Sequence, residues 1–144
     1  MSNIEIVKGV YEAFNRGDVP YVLAAIDPKI EWSEAEGNPY MPSGKAWLGP
    51  DAVLNNLFMR LATDWDGFAL HPAAYHDAGD TVVAEARYSG THKATGKRMN
   101  PQVCQVWTVR HGKLAKFQQY VDTAQLPGSN GRPPERVIEA RQRP

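Results

Sequence analysis

The stretch QVCQVWTVRHGKLAKFQQYV, residues 102–121, contains two runs of alternating residues on either side of one turn. Residues 102–109 and 114–121 each show the period of two and the β-branched and aromatic content that are typical of a strand. The turn residues 111–113 include a glycine, and the connection is short. Because a short connection joins antiparallel neighbours, this stretch predicts a hairpin.

One face of this hairpin is predicted to carry two glutamines among large apolar side chains. Gln105 stands two positions from Trp107, and Gln119 stands two positions from both Phe117 and Val121. Alternation along each strand therefore places both amides on the inward face. A glutamine can donate a hydrogen bond but not a proton, so this wall is suited to holding a carbonyl or a hydroxyl group.

Two further strand patterns precede the hairpin. Residues 68–75 and 81–88 are predicted strands, with turn signals at residues 77–80 between them and at residues 94–97 after them. Tyr88, on the face opposite the charged side chains of its strand, is interpreted as a core or interface residue. Four strands with short connections predict an antiparallel meander.

The first part of the chain is predicted to be helical. Ser2 and Glu5 form a capping-box pattern, and the apolar spacing after them predicts a helix over residues 3–16 that ends at Gly17. Asp18 is predicted to cap a second, shorter helix. The two helices are expected to lie close together.

A short strand with an unusual carboxylate follows these helices. Ile30, Trp32 and Glu34 alternate with more polar residues, which predicts that the three side chains share one face. Residues 35–49 are rich in glycine and proline and predict a loop, although its apolar content suggests that it folds back over the protein. Residues 50–64 then predict a third helix.

The order helix, helix, strand, helix and four strands predicts an α+β fold. One curved antiparallel sheet is expected to wrap around helices that cover its concave face. The folded domain is predicted to span residues 1–126. Residues 127–144 are predicted to form a polar C-terminal extension, since they combine several prolines and glycines with four arginines.

Charge and length exclude several function classes. The 144 residues include 16 Lys and Arg against 16 Asp and Glu, a formal net charge of zero, so no nucleic-acid or anionic-lipid partner is expected. No apolar run approaches the roughly 20 residues that span a bilayer, so no membrane association is expected. The N-terminus lacks the pattern of a secretory signal, and a cytoplasmic location is therefore expected.

No motif predicts a metal, a cofactor or covalent catalysis. The histidines His71, His76, His92 and His111 lack the spacing that places two imidazoles on one helix face. The glycine-rich nucleotide motifs and the GxSxG elbow do not occur in the sequence. Cys104, the single cysteine, is interpreted as a small buried apolar side chain.

Several stretches of the chain resemble the SnoaL-like, ketosteroid-isomerase-related branch of the nuclear transport factor 2-like superfamily. The stretches are YEAFNRGD at 11–18, IEW at 30–32, EAEGNPY at 34–40, GPDAV at 49–53, ATGK at 94–97, GKL at 112–114 and FQQYVDT at 117–123. The resemblance implies a cone-shaped domain, a homodimer formed through the outer face of the sheet, and an apolar pocket for a small organic ligand.

The resemblance also implies site residues. The isomerase base falls on Ser33 or Glu34, and alternation favours Glu34, with Glu36 beside it in the loop. The isomerase tyrosine falls on Val10, one position before Tyr11, while Gln105 and Gln119 occupy positions where relatives keep acids. The residues expected to contact the ligand are Tyr11, Phe14, Trp32, Tyr40, Phe58, Trp65, Gln105, Trp107 and Gln119.

Two functions remain open at this point. Burial raises the pKa of a carboxyl group, so Glu34 or Glu36 in an apolar pocket could exchange a proton near neutral pH in an isomerase, cyclase or hydrolase. Equally, both acids could cap loop amides or face solvent. The two glutamines favour a second function, a non-catalytic binding or sequestering module.

Overall fold

The chain folds into helices that pack inside one strongly curled sheet. The computed structural model describes residues 1–127. The predicted C-terminal extension lies, apart from Pro127, outside the described residues. The α+β architecture predicted from the order of elements is confirmed.

The helices begin where the sequence supplies capping residues. Ser2 Oγ accepts from the Glu5 backbone N–H at 3.1 Å, and Asp18 Oδ1 accepts from the Tyr21 N–H at 3.1 Å. Each contact satisfies one of the N–H groups that a helix leaves unpaired at its start. The helices are α1 (Asn3–Asn15), α2 (Val19–Ala25), α3 (Pro50–Val53), a π-helical turn (Leu54–Phe58), α4 (Met59–Asp64) and a 3₁₀ helix (Thr123–Gln125).

The described residues form a sheet of seven strands. The strands are β1 (Ile26–Ser33), β2 (Trp47–Leu48), β3 (Trp65–Ala78), β4 (Thr81–His92), β5 (Arg98–Met99), β6 (Gln102–Arg110) and β7 (Lys113–Val121). Their spatial order is β2-β1-β7-β6-β4-β3, and β5 pairs with β4. The pairing of β1 with β7 is parallel, while the others among the described residues are antiparallel.

The predicted β6–β7 hairpin is confirmed. Arg110 pairs with Lys113, so the loop consists of two residues. His111 has a φ of 52° and Gly112 a φ of 73°, and a two-residue turn with positive φ at both positions matches the right-handed twist of the strands. Glycine takes such a φ without strain, which explains its place in this turn.

The helices cover the concave face of the sheet. Val7 and Val10 of α1, Ile30 of β1, Trp107 of β6 and Phe117 of β7 are at most 3% exposed. The indole of Trp32 stacks on the Phe117 ring at 3.9 Å between centroids. The core therefore joins the first helix to three neighbouring strands, β1, β7 and β6. No helix among residues 1–127 is long and apolar enough to cross a membrane.

Candidate functional site

Glu34 places a buried carboxyl group just beyond the end of β1. Its side chain lies on the same side as Trp32, as alternation predicts, and the residue is only 8% exposed. Oε1 accepts from Asn38 Nδ2 at 3.3 Å and from Gln119 Nε2 at 3.1 Å, while Oε2 accepts from Trp32 Nε1 at 3.3 Å. Both carboxyl oxygens therefore face neutral donors.

Burial controls the protonation of this group. It raises the pKa of Glu34 to about 8, and the hydrogen bond from Trp32 opposes this rise. None of the salt bridges among residues 1–127 involves Glu34, so no cation there offsets the loss of hydration. A carboxyl group with this pKa can accept and release a proton near neutral pH.

The two predicted glutamines lie side by side on the inner face. Gln105 and Gln119 are Cα partners across β6 and β7, and they are 4% and 2% exposed. Gln105 Nε2 donates to Gln119 Oε1 at 2.7 Å and to the Tyr88 hydroxyl at 2.8 Å. Tyr88 in turn donates to Gln119 Oε1. The inward placement predicted for both amides is confirmed.

Tyr11, on helix α1, extends the pair of glutamines into a buried row of hydrogen-bonded side chains. Its hydroxyl donates to Gln105 Oε1 at 2.7 Å and accepts from Trp107 Nε1 at 2.8 Å. Burial raises the pKa of Tyr11, which keeps the hydroxyl protonated and able to donate. Val10, where the resemblance placed the isomerase tyrosine, is also buried, but its isopropyl group cannot take part in the row.

The row of hydrogen bonds has a direction. The Trp107 indole N–H can only donate, so Tyr11 accepts from it and donates onward to the Gln105 carbonyl. The Gln105 amide then donates to Gln119, whose own amide donates to Glu34. Every link therefore presents a donor toward the carboxyl group, which favours its ionised form and partly offsets its burial.

Two small cavities flank this row. The first, of about 40 Å³, is lined in part by Tyr11, Phe14, Trp32, Phe58, Gln105 and Trp107. The second, of about 30 Å³, is lined in part by Glu34, Tyr40, Trp65 and Gln119. Each predicted ligand-contact residue therefore lines one of the two cavities. Each cavity has room for a few water molecules at most, far less than the about 300–1,000 Å³ of a ligand pocket.

The π-helical turn, α4 and β4 supply the wall between the two cavities. Leu57, Leu61 and Tyr88 line both spaces. Leu57 belongs to the π-helical turn, where the Met59 N–H reaches back to the Leu54 carbonyl. Such turns occur often at functional sites because they displace side chains from regular helical positions. These three side chains therefore form the wall that the two cavities share.

The loop after β1 folds back over the protein, as its apolar content predicts. The Tyr40 hydroxyl donates to Asp64 Oδ2 at 2.7 Å and accepts from Trp65 Nε1 at 3.0 Å, which fixes the loop against the end of α4. The Arg60 guanidinium lies 4.6 Å from the centroid of the Tyr40 ring. Glu36, the second predicted acid, is exposed in this loop.

Sequence reasoning missed Tyr88 and Asn38, two side chains that hydrogen-bond to this row. Tyr88 was assigned to the core or an interface, yet the alternation of Val82, Ala84 and Ala86 on β4 leads directly to an inward Tyr88. Asn38 belongs to a Gly-Asn-Pro turn, and turn chemistry gives no direction for its side chain. No periodic signal in the sequence could have found Asn38.

Cysteine and histidine form no metal centre in residues 1–127, since no group of three or more His, Cys, Asp or Glu side chains is assembled there. Cys104 is half-buried rather than buried, because its strand position alternates with Gln105 and therefore faces outward. Burial still raises the pKa of the Cys104 thiol. His76 Nε2 lies 2.7 Å from Glu85 Oε2 on the exposed part of β3 and β4.

Comparison with known proteins identifies a family for this chain. A family model described as a SnoaL-like domain matches residues 7–117. No match was found among curated proteins.

Solved structures give the same picture over nearly the whole chain. A nuclear transport factor 2-like protein from Burkholderia thailandensis E264 is 37% identical, with 96% of each chain covered and a TM-score of 0.78. A nuclear transport factor 2-like protein of unknown function from Burkholderia pseudomallei K96243 is 28% identical, with 88% of this chain and 95% of that chain covered and a TM-score of 0.78. TerC, co-crystallised with polyporic acid, is 25% identical, with 85% and 92% covered and a TM-score of 0.74.

Proposed function

The chain belongs to the SnoaL-like family of nuclear transport factor 2-like proteins, and from that premise we propose that it catalyses a cofactor-independent proton transfer on a small, oxygen-bearing organic compound. Glu34 accepts and returns the proton in an isomerisation, cyclisation or hydrolysis. The observation that carries the proposal is the buried Glu34 carboxyl group, whose pKa of about 8 lies near neutral pH. Acid-base catalysts work best when their pKa lies close to the operating pH.

The neighbouring groups have complementary roles in this proposal. The ionised form of Glu34 takes a proton from the substrate or from a water molecule, and the N–H groups of Trp32, Asn38 and Gln119 stabilise the carboxylate. The Tyr11 hydroxyl or the Gln105 amide orients the substrate oxygen by exchanging one present hydrogen bond for one to the ligand. These groups are neutral donors in a site with little water, where hydrogen bonds to developing charge are strong.

Substrate binding in this proposal requires the two cavities to open into one. The spaces of about 40 and 30 Å³ share walls at Leu57, Leu61 and Tyr88. Movement of Tyr88 away from Gln119 would connect the aromatic cavity to the one that contains Glu34. The co-crystallisation of TerC with polyporic acid supports a small organic ligand for this chain.

Glu34→Gln tests the proposed catalysis. A thermal-shift screen of apolar carbonyl compounds and lactones first identifies ligands, because a compound that binds only the folded state raises the melting temperature. On a compound that turns over, Glu34→Gln is expected to lower kcat by about a hundredfold to ten-thousandfold, since it keeps the shape of the side chain but removes the base.

Glu31→Gln is the matched control. Glu31 lies three residues earlier, within β1, and is exposed, so its replacement is expected to leave kcat unchanged. If Glu34→Gln retains full turnover, the base lies elsewhere, and Glu36→Gln becomes the next variant to measure.

A non-catalytic binding module is the second candidate function. It is favoured because the buried polar side chains already bind one another. Every buried polar side-chain atom among residues 1–127 already has a hydrogen-bond partner. Gln105 and Gln119 are neutral where the related enzymes keep acids. A compound that raises the melting temperature but is recovered unchanged after long incubation would favour this second function.

We also propose that the chain forms a homodimer through the outer face of its sheet. Tyr120 on β7 is 58% exposed, and its Cα partner Cys104 on β6 lies beside it. These residues line a broad surface depression of about 810 Å³ together with Ala86 and Val103. An exposed aromatic residue at the centre of a sheet face supports a contact with a second copy.

A further inference from the structure

A groove distinct from the two small cavities lies between the β4–β5 hairpin and the segment that carries the 3₁₀ helix. Its volume is about 340 Å³, within the range of about 300–1,000 Å³ that is usual for ligand pockets. We call it the rim groove and define it by its floor, Trp65, Met99 and Leu126, and its edge, His92, Lys97 and Arg98. The polar row described above does not include any of these residues.

The floor of the rim groove is apolar and firmly packed. Trp65 is 4% exposed, Met99 5% and Leu126 8%. The ring of His92 stands edge-on to the Trp65 indole at 5.0 Å between centroids. Trp65 and Leu126 are also walls of the small cavity that contains Glu34. The rim groove is therefore separated from the Glu34 carboxyl group by a single layer of side chains.

The charge of the rim groove has one sign. His92, Lys97 and Arg98 are the titratable side chains that line it, and no carboxylate lines it within residues 1–127. Neither Lys97 nor Arg98 belongs to a salt bridge among the described residues.

The carboxylates near the rim groove already have partners. Asp66 lies 4.0 Å from Lys93 Nζ, and Asp122 accepts from the Ala124 N–H at 3.2 Å. The two cationic groups at the edge are therefore available to an anionic ligand.

From this combination we propose that the rim groove binds an aromatic carboxylate, whose ring occupies the groove between the β4–β5 hairpin and the 3₁₀ helix and whose carboxylate contacts Lys97 and Arg98. This site goes beyond the proposed function, because Glu34 does not line the rim groove. A groove with apolar lining beside two cations that have no salt bridge among residues 1–127 suits a ring that ends in a negative group. A neutral compound of the same shape would use only the apolar lining.

The test compares 2-naphthoate with 2-naphthamide, which has nearly the same shape but no charge. Calorimetric titration at neutral pH is expected to show tighter binding of 2-naphthoate, with a preference that shrinks as salt increases. The double variant Lys97→Gln/Arg98→Gln is expected to weaken 2-naphthoate binding by about tenfold and to leave 2-naphthamide binding unchanged.

The double variant Lys29→Gln/Arg110→Gln is the matched control. It removes two exposed cations from β1 and β6, outside the rim groove, and is expected to bind 2-naphthoate as the wild type does. Equal affinities for the two compounds would overturn the proposal. So would the absence of saturable 2-naphthoate binding in the millimolar range, or an equal loss of affinity in both double variants.

The titrations also separate this proposal from the proposed catalysis. Glu34→Gln is expected to bind 2-naphthoate with wild-type affinity, because the rim groove does not use the Glu34 charge for binding. Retained binding together with unaltered turnover in Glu34→Gln would reject the catalytic proposal alone. Loss of turnover in that variant without any preference for 2-naphthoate would reject the anion site alone.

Discussion

The inner and outer faces of β6 and β7 each carry exceptions to the usual distribution of side chains. On the inner face, Gln105 and Gln119 are almost fully buried between aromatic rings. On the outer face of the same strands, Tyr120 is 58% exposed and Cys104 half-exposed. A buried polar group and an exposed large apolar group are the informative exceptions to normal burial. Two different functions are therefore proposed for the two sides of one hairpin.

The difference between the two faces shows which polar groups lose free energy of hydration on folding. A buried amide must replace its bonds to water, and both glutamines do so through each other and through neighbours on α1, β4 and the loop after β1. Polar side chains on the outer face do not need protein partners in the same way, since they are partly hydrated. The inner face therefore depends on its complete set of hydrogen-bond partners, and the outer face is the one that we propose for contact with a second copy.

The largest expected effect concerns the inner face and is a dependence of stability on pH. The pKa of Glu34 is raised from 4.5 to about 8 in the folded chain, so the folded state binds this proton more tightly than the unfolded state. Its contribution is fully present below about pH 4.5 and is lost as pH rises through about 8. The free energy of unfolding should therefore fall by up to about 5 kcal/mol across this range.

Urea unfolding of the wild type and Glu34→Gln at several pH values measures this contribution. The two proteins differ at this one side chain, so the difference between the two curves isolates Glu34. Parallel curves would show that Glu34 keeps an ordinary pKa in the folded state, and the inner face would then lack its proposed proton acceptor.

A smaller effect is expected from Gln119→Leu, which keeps the side-chain size but removes the amide. Glu34 loses its donor at 3.1 Å, and Tyr88 loses its acceptor. Leaving buried polar groups without partners should lower the free energy of unfolding by about 2 kcal/mol. Loss of the donor should also raise the pKa of Glu34 further, which shifts the pH dependence of stability upward.

Gln118→Leu sharpens the comparison because Gln118 is the sequence neighbour on the outer face. Its side-chain amide donates to the Gln119 backbone carbonyl at 2.9 Å and is partly hydrated. Its replacement should change the free energy of unfolding by less than about 0.5 kcal/mol. Equal losses in the two variants would mean that the inner and outer amides are energetically equivalent.

The smallest effect on stability is expected from Tyr120→Glu on the outer face. The free energy of unfolding of one subunit should change by less than about 0.5 kcal/mol, since the side chain is exposed. Light scattering at micromolar concentration should nevertheless show a dimer for the wild type and a monomer for the variant, because a charge is placed in an apolar contact. A monomeric wild type would remove the proposed interface.

The positions that follow strand alternation could be predicted from the sequence. Glu34 was placed from Trp32, and the two glutamines were placed from Trp107 and Phe117, because a period of two is a local property of the chain. Tyr11 was harder to separate from Val10. Helix α1 buries a stripe wide enough to include both positions, and only the three-dimensional position of Gln105 selects the hydroxyl.

Features that depend on distant pairing were not predictable. The strands β2 and β5 are two residues long, too short for a period to appear, and they exist because β1 and β4 offer them partners. The π-helical turn has the same apolar spacing as an ordinary helix, so the third helix was predicted as continuous. Strand β3 extends to Trp65 because β4 pairs with it over that length.

The parallel pairing of β1 with β7 has a consequence for the synthesis of the chain. The contact between Glu34 and Gln119 spans 85 residues, so a ribosome completes the first strand long before the last one exists. Until β7 emerges, Trp32 lacks the Phe117 ring and Glu34 remains hydrated with an ordinary carboxylate charge. Such non-local closure is slow relative to local hairpins. The nascent chain therefore carries an exposed aromatic edge, and a premature stop before β7 would leave it permanently open to aggregation.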